Sequence, residues 1–476
     1  MLLHEKSYEK LELHRVLELL ANQAVSQAAK EACKAIVPET DADEVRHLLK
    51  QTTASCKLIT LKGSPSFSAI QDVGASLDRA HRGGVLSPKE LLQIAGSLRC
   101  ARNVKDYAES EGASSCLDVY FLELTANKYL EDKISKAIIS ESEISDAASP
   151  ALGDIRRHIR QQSSKIRESL QKVISSPTYS KYLRDPIVTI RDGRFVVPVK
   201  SECKNDVPGL VHDVSSTGST FFIEPMQAVN ANNALRELQA KEEAEIERIL
   251  AELSFEASTY RDYINHNYKM LVTMDMIFAR GKLAYSMEAM EPQIRTDGKL
   301  DLKRARHPLI GKKEVVPISV YLGDSFDTLV ITGPNTGGKT VTLKTMGLFT
   351  LMAECGLHIP ADDGSYLSVF DRVLADIGDE QSIEQSLSTF SSHMKNIVEI
   401  MDCCGKGTLV LFDELGAGTD PAEGAALAIA IIEYCRKTGS MVAATTHYAE
   451  LKLYAMRTAM VSNASCEFDV QTLRPT

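Results

Sequence analysis

The stretch Leu329-Val330-Ile331-Thr332-Gly333-Pro334-Asn335-Thr336-Gly337-Gly338-Lys339-Thr340 decides how this chain is read. An apolar strand leads into a complete G-x-x-x-x-G-K-[ST] loop, and a helical pattern follows it. In such a loop the glycines let backbone N–H groups point at phosphate oxygens, the lysine reaches the β and γ phosphates, and the hydroxyl can hold Mg²⁺. The helix that starts there adds its positive dipole end. Gly333, Pro334, Asn335, Thr336, Gly337, Gly338, Lys339 and Thr340 are therefore the expected nucleotide-binding residues, with Thr340 also a metal ligand.

A second apolar run, Thr408-Leu-Val-Leu-Phe-Asp413-Glu414, ends in two acids. Asp413 suits Mg²⁺, and Glu414 is placed to orient and deprotonate an attacking water. Together the two motifs specify Mg-ATP hydrolysis. Downstream, Asp420 is expected to cap a helix whose first residue is Pro421 and which ends near Gly439. A third strand, Met441-Val-Ala-Ala-Thr-Thr, ends at His447. A histidine at the C-terminal end of a parallel strand faces the ligand side, which makes His447 a γ-phosphate sensor. Lys339, Glu414 and His447 form the expected catalytic set.

The 476 residues exceed one hydrophobic core, with about three domains as a soft expectation. No window approaches the roughly 20 apolar residues of a membrane span, and the start Met1-Leu-Leu-His-Glu-Lys lacks a secretory pattern. A cytoplasmic protein without membrane contact is expected. The ten cysteines include no C-x-x-C pair, which argues against a zinc site or a disulfide framework.

Residues 1–150 read as a helical core, with Leu11, Leu13, Val16, Leu17 and Leu20 at helical spacing, a helix after Asp41 and another capped by Ser87 with Pro88 at its first position. Residues 151–225 read as a lever helix, with an apolar stripe of Ile155, Ile159, Ile166, Leu170 and Val173, running into a small β unit whose Asp192-Gly193 marks a hairpin. Residues 226–295 return as a lever-like helix, free of Gly and Pro from Met226 to Arg280, and 296–476 alternate strands with helices as an α/β domain. The expected fold class is thus multidomain: an all-α core and levers with a β insert, then an α/β phosphate-loop domain.

Although the chain carries a formal charge of −10, residues 151–205 hold twelve Lys or Arg against five acids, a local excess of +7. Such an excess is an electrostatic footprint for phosphate backbones. Arg156, Arg157, Arg160, Arg167, Lys181, Arg184, Arg191, Arg194 and Lys200 are the expected nucleic-acid contacts, and the basic groups of the lever are expected to point away from its apolar stripe.

The loop at 333–340, the run Asp413-Glu-Leu-Gly-Ala-Gly-Thr-Asp-Pro and Thr445-Thr446-His447-Tyr448 resemble the MutS family of ABC-type ATPases across essentially the whole chain. Gly-Ala-Gly-Thr-Asp-Pro and Gly83-Gly84-Val-Leu-Ser-Pro are similar to the second bacterial MutS paralogue, associated with recombination control and ribosome rescue. The resemblance implies that Ser388, in Ser388-Thr389-Phe390 with Met394, reaches the ATP of the opposite subunit of a homodimer. It also implies that the β insert and its arms close around branched DNA or rRNA, with ATP and Mg²⁺ as cofactors. Phe121-Leu-Glu123 mimics the wedge of mismatch-sensing relatives, but sits with Leu117 and Leu124 on one helical face and reads as core. Mismatch sensing is disfavoured, and an architectural ATPase scaffold is the alternative. The chain stops at Thr476, after the strand-like Ala464-Ser-Cys-Glu-Phe-Asp-Val, where the family would continue with more ATPase sheet, dimerising helices and a small nuclease domain; a truncated ATPase domain is expected.

Overall fold

The apolar run before the glycine loop forms strand Thr328–Thr332. In this computed structural model, which describes residues 3–109, 115–334, 337–378, 386–469 and 474–475, that strand lies within a sheet of five parallel strands. Their order is Arg372–Asp376, Thr408–Phe412, Met441–Thr445, Thr328–Thr332, Val461–Ser465. Near-continuous apolar strands are what a sheet covered on both faces requires. Leu329, Ile331, Leu409, Leu411 and Ala443 enter one core, and the alternating Val330, Val410, Phe412, Val442 and Ala444 enter the other. Each of the Val, Leu, Ile and Phe side chains among them contributes about 1.5–3 kcal/mol on full burial.

The chain divides into two compact units: Met1–Ser68, Asn103–Leu124 and Lys269–Thr476 form one, and Ala69–Arg102 with Thr125–Tyr268 the other. In the first, one sheet face is covered by helix Lys339–Glu354 and by Leu13–Ala21 and Gln27–Lys34 from the start of the chain. Gly347 permits this layering, because a Cβ there would lie 2.5 Å from Leu411 and 2.8 Å from Leu11. The other face carries Ser386–Cys403, Pro421–Lys437 and Ala449–Arg457. Asp420 caps the second of these by accepting from the N–H groups of Ala422 and Glu423, with Pro421 next.

The expected strand–helix alternation fails between residues 293 and 322. Leu300–Ala305 and Ile318–Leu322 pair antiparallel with no helix between them, in a second sheet with Gln293–Arg295 and Tyr366–Ser368. Leu300, Leu302 and Ala305 point inward while Lys303 and Arg304 are exposed, the pattern of a half-buried antiparallel strand. Phe121 is core, buried in helix Asp118–Glu123 with its ring centroid 6.0 Å from that of Tyr107.

In the second unit, Ser87 and Glu90 form a reciprocal capping box at the start of Pro88–Glu109. Ser87 N–H donates to Glu90 Oε2 at 3.0 Å, and Glu90 N–H to Ser87 Oγ at 3.4 Å. The first 150 residues are not all-helical: Ile138–Ser140 and Glu143–Ile144 form a hairpin, because Ile138 and Ile144 are both drawn into the core. The helix Pro150–Ser175 buries Leu152, Ile166, Leu170 and Val173 but leaves Ile155 and Ile159 half-buried. There the neighbouring helix offers acids: Ser149 Oγ donates to Glu245 and Arg156 Nε to Glu242. Arg156 therefore does not turn away from the packed side as the wheel indicated.

The β insert has strand order Thr189–Arg191, Arg194–Lys200, Thr220–Pro225, Gly209–Val214, all antiparallel. Its first turn places Asp192 at φ 46° and Gly193 at φ 73°, the two left-handed residues of a type I′ hairpin. The long returning helix is broken in two, Met226–Thr259 and Arg261–Met287. Ser258 and Thr259 hydroxyls bond the carbonyls of Phe255 and Glu256, and Tyr260 N–H drops back to Ala257. Such side-chain bonds compete with the helix ladder and end it without Gly or Pro.

Candidate functional site

Three adjacent parallel strands deliver their following residues to one edge of the sheet. Thr328–Thr332 leads to Gly333 and Lys339, Thr408–Phe412 to Asp413 and Glu414, and Met441–Thr445 to Thr446 and His447. This C-terminal edge is where open parallel sheets hold ligands.

Lys339 is 2% exposed, with its ammonium folded back onto the loop. It donates to Gly333 O at 2.8 Å and to His447 Nδ1 at 3.1 Å. His447 Nε2 in turn donates to Glu414 Oε1 at 2.7 Å. The ammonium can only donate and lies nearer Nδ1, at 3.1 Å, than Nε2, at 3.4 Å, so with Nδ1 as acceptor and Nε2 turned to Glu414 the three residues form one connected cluster. Beside it, Thr340 Oγ1 donates to Asp413 Oδ2 at 2.8 Å. A hydroxyl and a carboxylate are the hard oxygen donors that suit Mg²⁺, and these two stand together at the helix start.

Thr445 organises the acids, a role its position in the sequence did not suggest. Its hydroxyl donates to Asp413 Oδ1 and accepts from Glu414 N–H at 2.8 Å. Glu414 takes φ 47°, uncommon for a residue with a side chain. The next turn docks on the helix that follows: Tyr448 hydroxyl donates to Gly416 O at 2.8 Å, and a Cβ on Gly424 would lie 2.5 Å from that oxygen.

A cavity of about 350 Å³ opens beside Gly337, Gly338 and Thr342, walled by Val316, Ile318 and Cys466. No motif announced it, since its walls come from segments on both sides of the loop. Gly333 is held at φ 131°, where a Cβ would lie 3.1 Å from Cys466 O. Asn335 and Thr336 lie outside the described residues, as does the side chain of Ser388, whose backbone begins helix Ser386–Cys403.

The basic residues of the second unit are not equivalent. Arg156 bonds Glu242 at 2.6 Å, Asp146 at 2.7 Å and Ile144 O at 2.6 Å. Arg194 donates twice to Glu224, at 2.9 Å each, and to Asn233 at 2.7 Å. Glu224 is fully buried and also meets His212 at 2.5 Å and Asn232 at 2.7 Å. Arg157 pairs with Asp154 and Arg160 with Asp146, both exposed. Arg167 lies over the Phe195 ring, Lys181 over Tyr182 and Arg191 over Phe222. Lys200 Nζ donates to Lys181 O, and Arg184 is exposed.

Residues 329–474 match the MutS domain V family. Over its whole length the chain is 50% identical to the Endonuclease MutS2 of Acetivibrio thermocellus, across 478 residues. It is 50% identical to that of Ruminiclostridium cellulolyticum and 49% to that of Clostridioides difficile, again with all of the chain covered. The chain spans 60% of the length of these relatives. Among the described residues, no helix is long and apolar enough to cross a membrane.

Proposed function

We propose, from the premise that this chain belongs to the MutS family, that it is an ATP-hydrolysing clamp for structured nucleic acid. The observation that carries this reading is the convergence of Lys339, His447, Glu414, Thr340 and Asp413 on one sheet edge. The loop residues Gly333 to Thr340 would wrap the phosphates, and the cavity at Val316, Ile318 and Cys466 would take the base. Thr340 and Asp413 would hold Mg²⁺, whose charge neutralises the phosphate oxygens when it is bound. Glu414 would orient the attacking water and accept its proton, and His447 would hand Lys339 and Glu414 the state of the γ-phosphate.

Ser388 would act on the nucleotide of the opposite protomer, so that hydrolysis belongs to a homodimer. Residues 151–225 would serve as lever and clamp, with exposed Arg157, Arg160, Arg167, Lys181 and Arg184 and half-buried Arg191 and Lys200 meeting phosphates and Arg156 and Arg194 holding the frame that presents them. Branched DNA, in recombination control, and rRNA, in the rescue of stalled ribosomes, share the backbone charge this surface reads. The nuclease activity in the relatives' name is assigned to no residue here.

The test is to trap the Glu414→Gln chain with ATP and present it with DNA four-way junctions and with collided ribosomes. Saturable capture of either supports the clamp. Capture of neither, with an ATPase rate indifferent to both, supports a protein scaffold instead.

A further inference from the structure

Behind Asp413 lies a second acidic group that the nucleotide chemistry does not use. Asp376 ends the edge strand Arg372–Asp376, and its side chain is 3% exposed. Its Oδ1 accepts from Asn396 Nδ2 at 2.7 Å and from Lys10 Nζ at 3.1 Å, and its Oδ2 faces His393 Nδ1 at 2.8 Å. Its carbonyl accepts from the N–H of Asp413 at 2.9 Å. One residue thus ties together the N-terminal helix Leu3–Lys10, the helix Ser386–Cys403 and the strand end that carries the two acids. A further ion pair, Lys6 with Glu399 at 2.9 Å, fastens the same two helices. At Gly378 a Cβ would lie 2.7 Å from the His393 ring, so the imidazole is pressed onto the chain leaving the strand.

A buried carboxylate with three side-chain partners is a fixed joint, because releasing any partner strands charge away from water. We propose that Asp376 and His393 are positioning residues that couple the seat of Asp413 to the helix bearing Ser388, so that one protomer's bound nucleotide sets the group acting on the other's. Neither residue is among those proposed to hold ATP. The coupling rests on the composite site proposed above. Displacements of about 1 Å at a reacting centre cost on the order of 10²-fold in rate, so loosening the joint lowers turnover and leaves nucleotide capture intact.

The experiment compares full-length wild type with Asp376→Asn, His393→Leu, His393→Asn and Asn396→Ala, reading kcat, KM for ATP and thermal midpoint. The expected result is a fall in kcat of about 10- to 100-fold for His393→Leu and Asp376→Asn, with KM within about twofold. His393→Asn, which keeps a donor near Nδ1, recovers most of the loss, and Asp376→Asn with His393→Leu together is no worse than the worse single change. Asn396→Ala gives the same kcat-only signature should either substitution at 376 or Leu at 393 fail to fold. Unchanged kcat, parallel changes in kcat and KM, or multiplying effects overturn the coupling. A wild type that hydrolyses no ATP defeats the composite-site reading, whereas an active wild type with indifferent variants defeats only the joint.

Discussion

At Glu414 the backbone itself is part of the chemistry. A left-handed φ at a residue with a side chain costs of order 1 kcal/mol, and here it is held by the Thr445 hydroxyl and points the carboxylate at His447. Replacing Glu414 by Gln keeps that geometry and removes the base, so steady-state hydrolysis should fall by about 10²-fold or more, while a fluorescent ATP analogue still binds. His307 supplies a pH signature. Burial drives its imidazole down to about 4, helped by Lys344 and Arg15 and opposed by Glu12. Its Nε2 is buried without a hydrogen-bond partner among the described residues. The unfolded chain takes up this proton below about pH 6.5 and the folded chain does not until about 4. Stability is thus complete above 6.5 and declines by about 3 kcal/mol as the pH falls through that window. Urea titrations of His307→Gln should show a shallower decline over the same range. The phosphate loop and the acidic strand end could be read because phosphate chemistry demands contiguous residues. Thr445 and Asp376 could not, since each acts through partners that only the sheet brings alongside.

Among the elements, the β insert separates residues that would touch a ligand from those that hold its frame. Arg194 to Ala would leave the fully buried Glu224 short of its cationic partner, at a cost of about 3 kcal/mol. Arg157 to Ala or Arg160 to Ala should stay within about 0.5 kcal/mol, since their ion pairs are exposed. Thermal melts check this, and equal losses at all three positions would remove the distinction. A count of charges along the chain treats these arginines alike, and only burial sorts them. The helix elements show a similar limit. Ser87-Pro88 and Asp420-Pro421 were legible because caps are local, and the Asp192-Gly193 turn because its φ angles need those residues. The break at Tyr260 was hidden, because it is made by ordinary Ser and Thr hydroxyls turning back onto carbonyls.

For the whole molecule, nucleic-acid affinity should be governed by salt. With about five phosphate contacts, log affinity for duplex DNA should fall against log salt with a slope near −4.5, and a flat dependence would rule out backbone recognition. Removing Arg167 should lower the slope by about one. The first ten residues carry a different consequence. Ser7 accepts from Ala375 N–H across 368 positions, and Lys10 meets Asp376 across 366. During synthesis at about 5–20 residues per second, the opening helix waits roughly 20 to 70 s for the strand it covers. Residues 69–102 and 125–268, which make up the second unit, leave the ribosome well before that. This opening helix is thus among the last elements of its unit to find its place, and Tyr8, half-buried against the core in the folded chain, stays uncovered while translation runs.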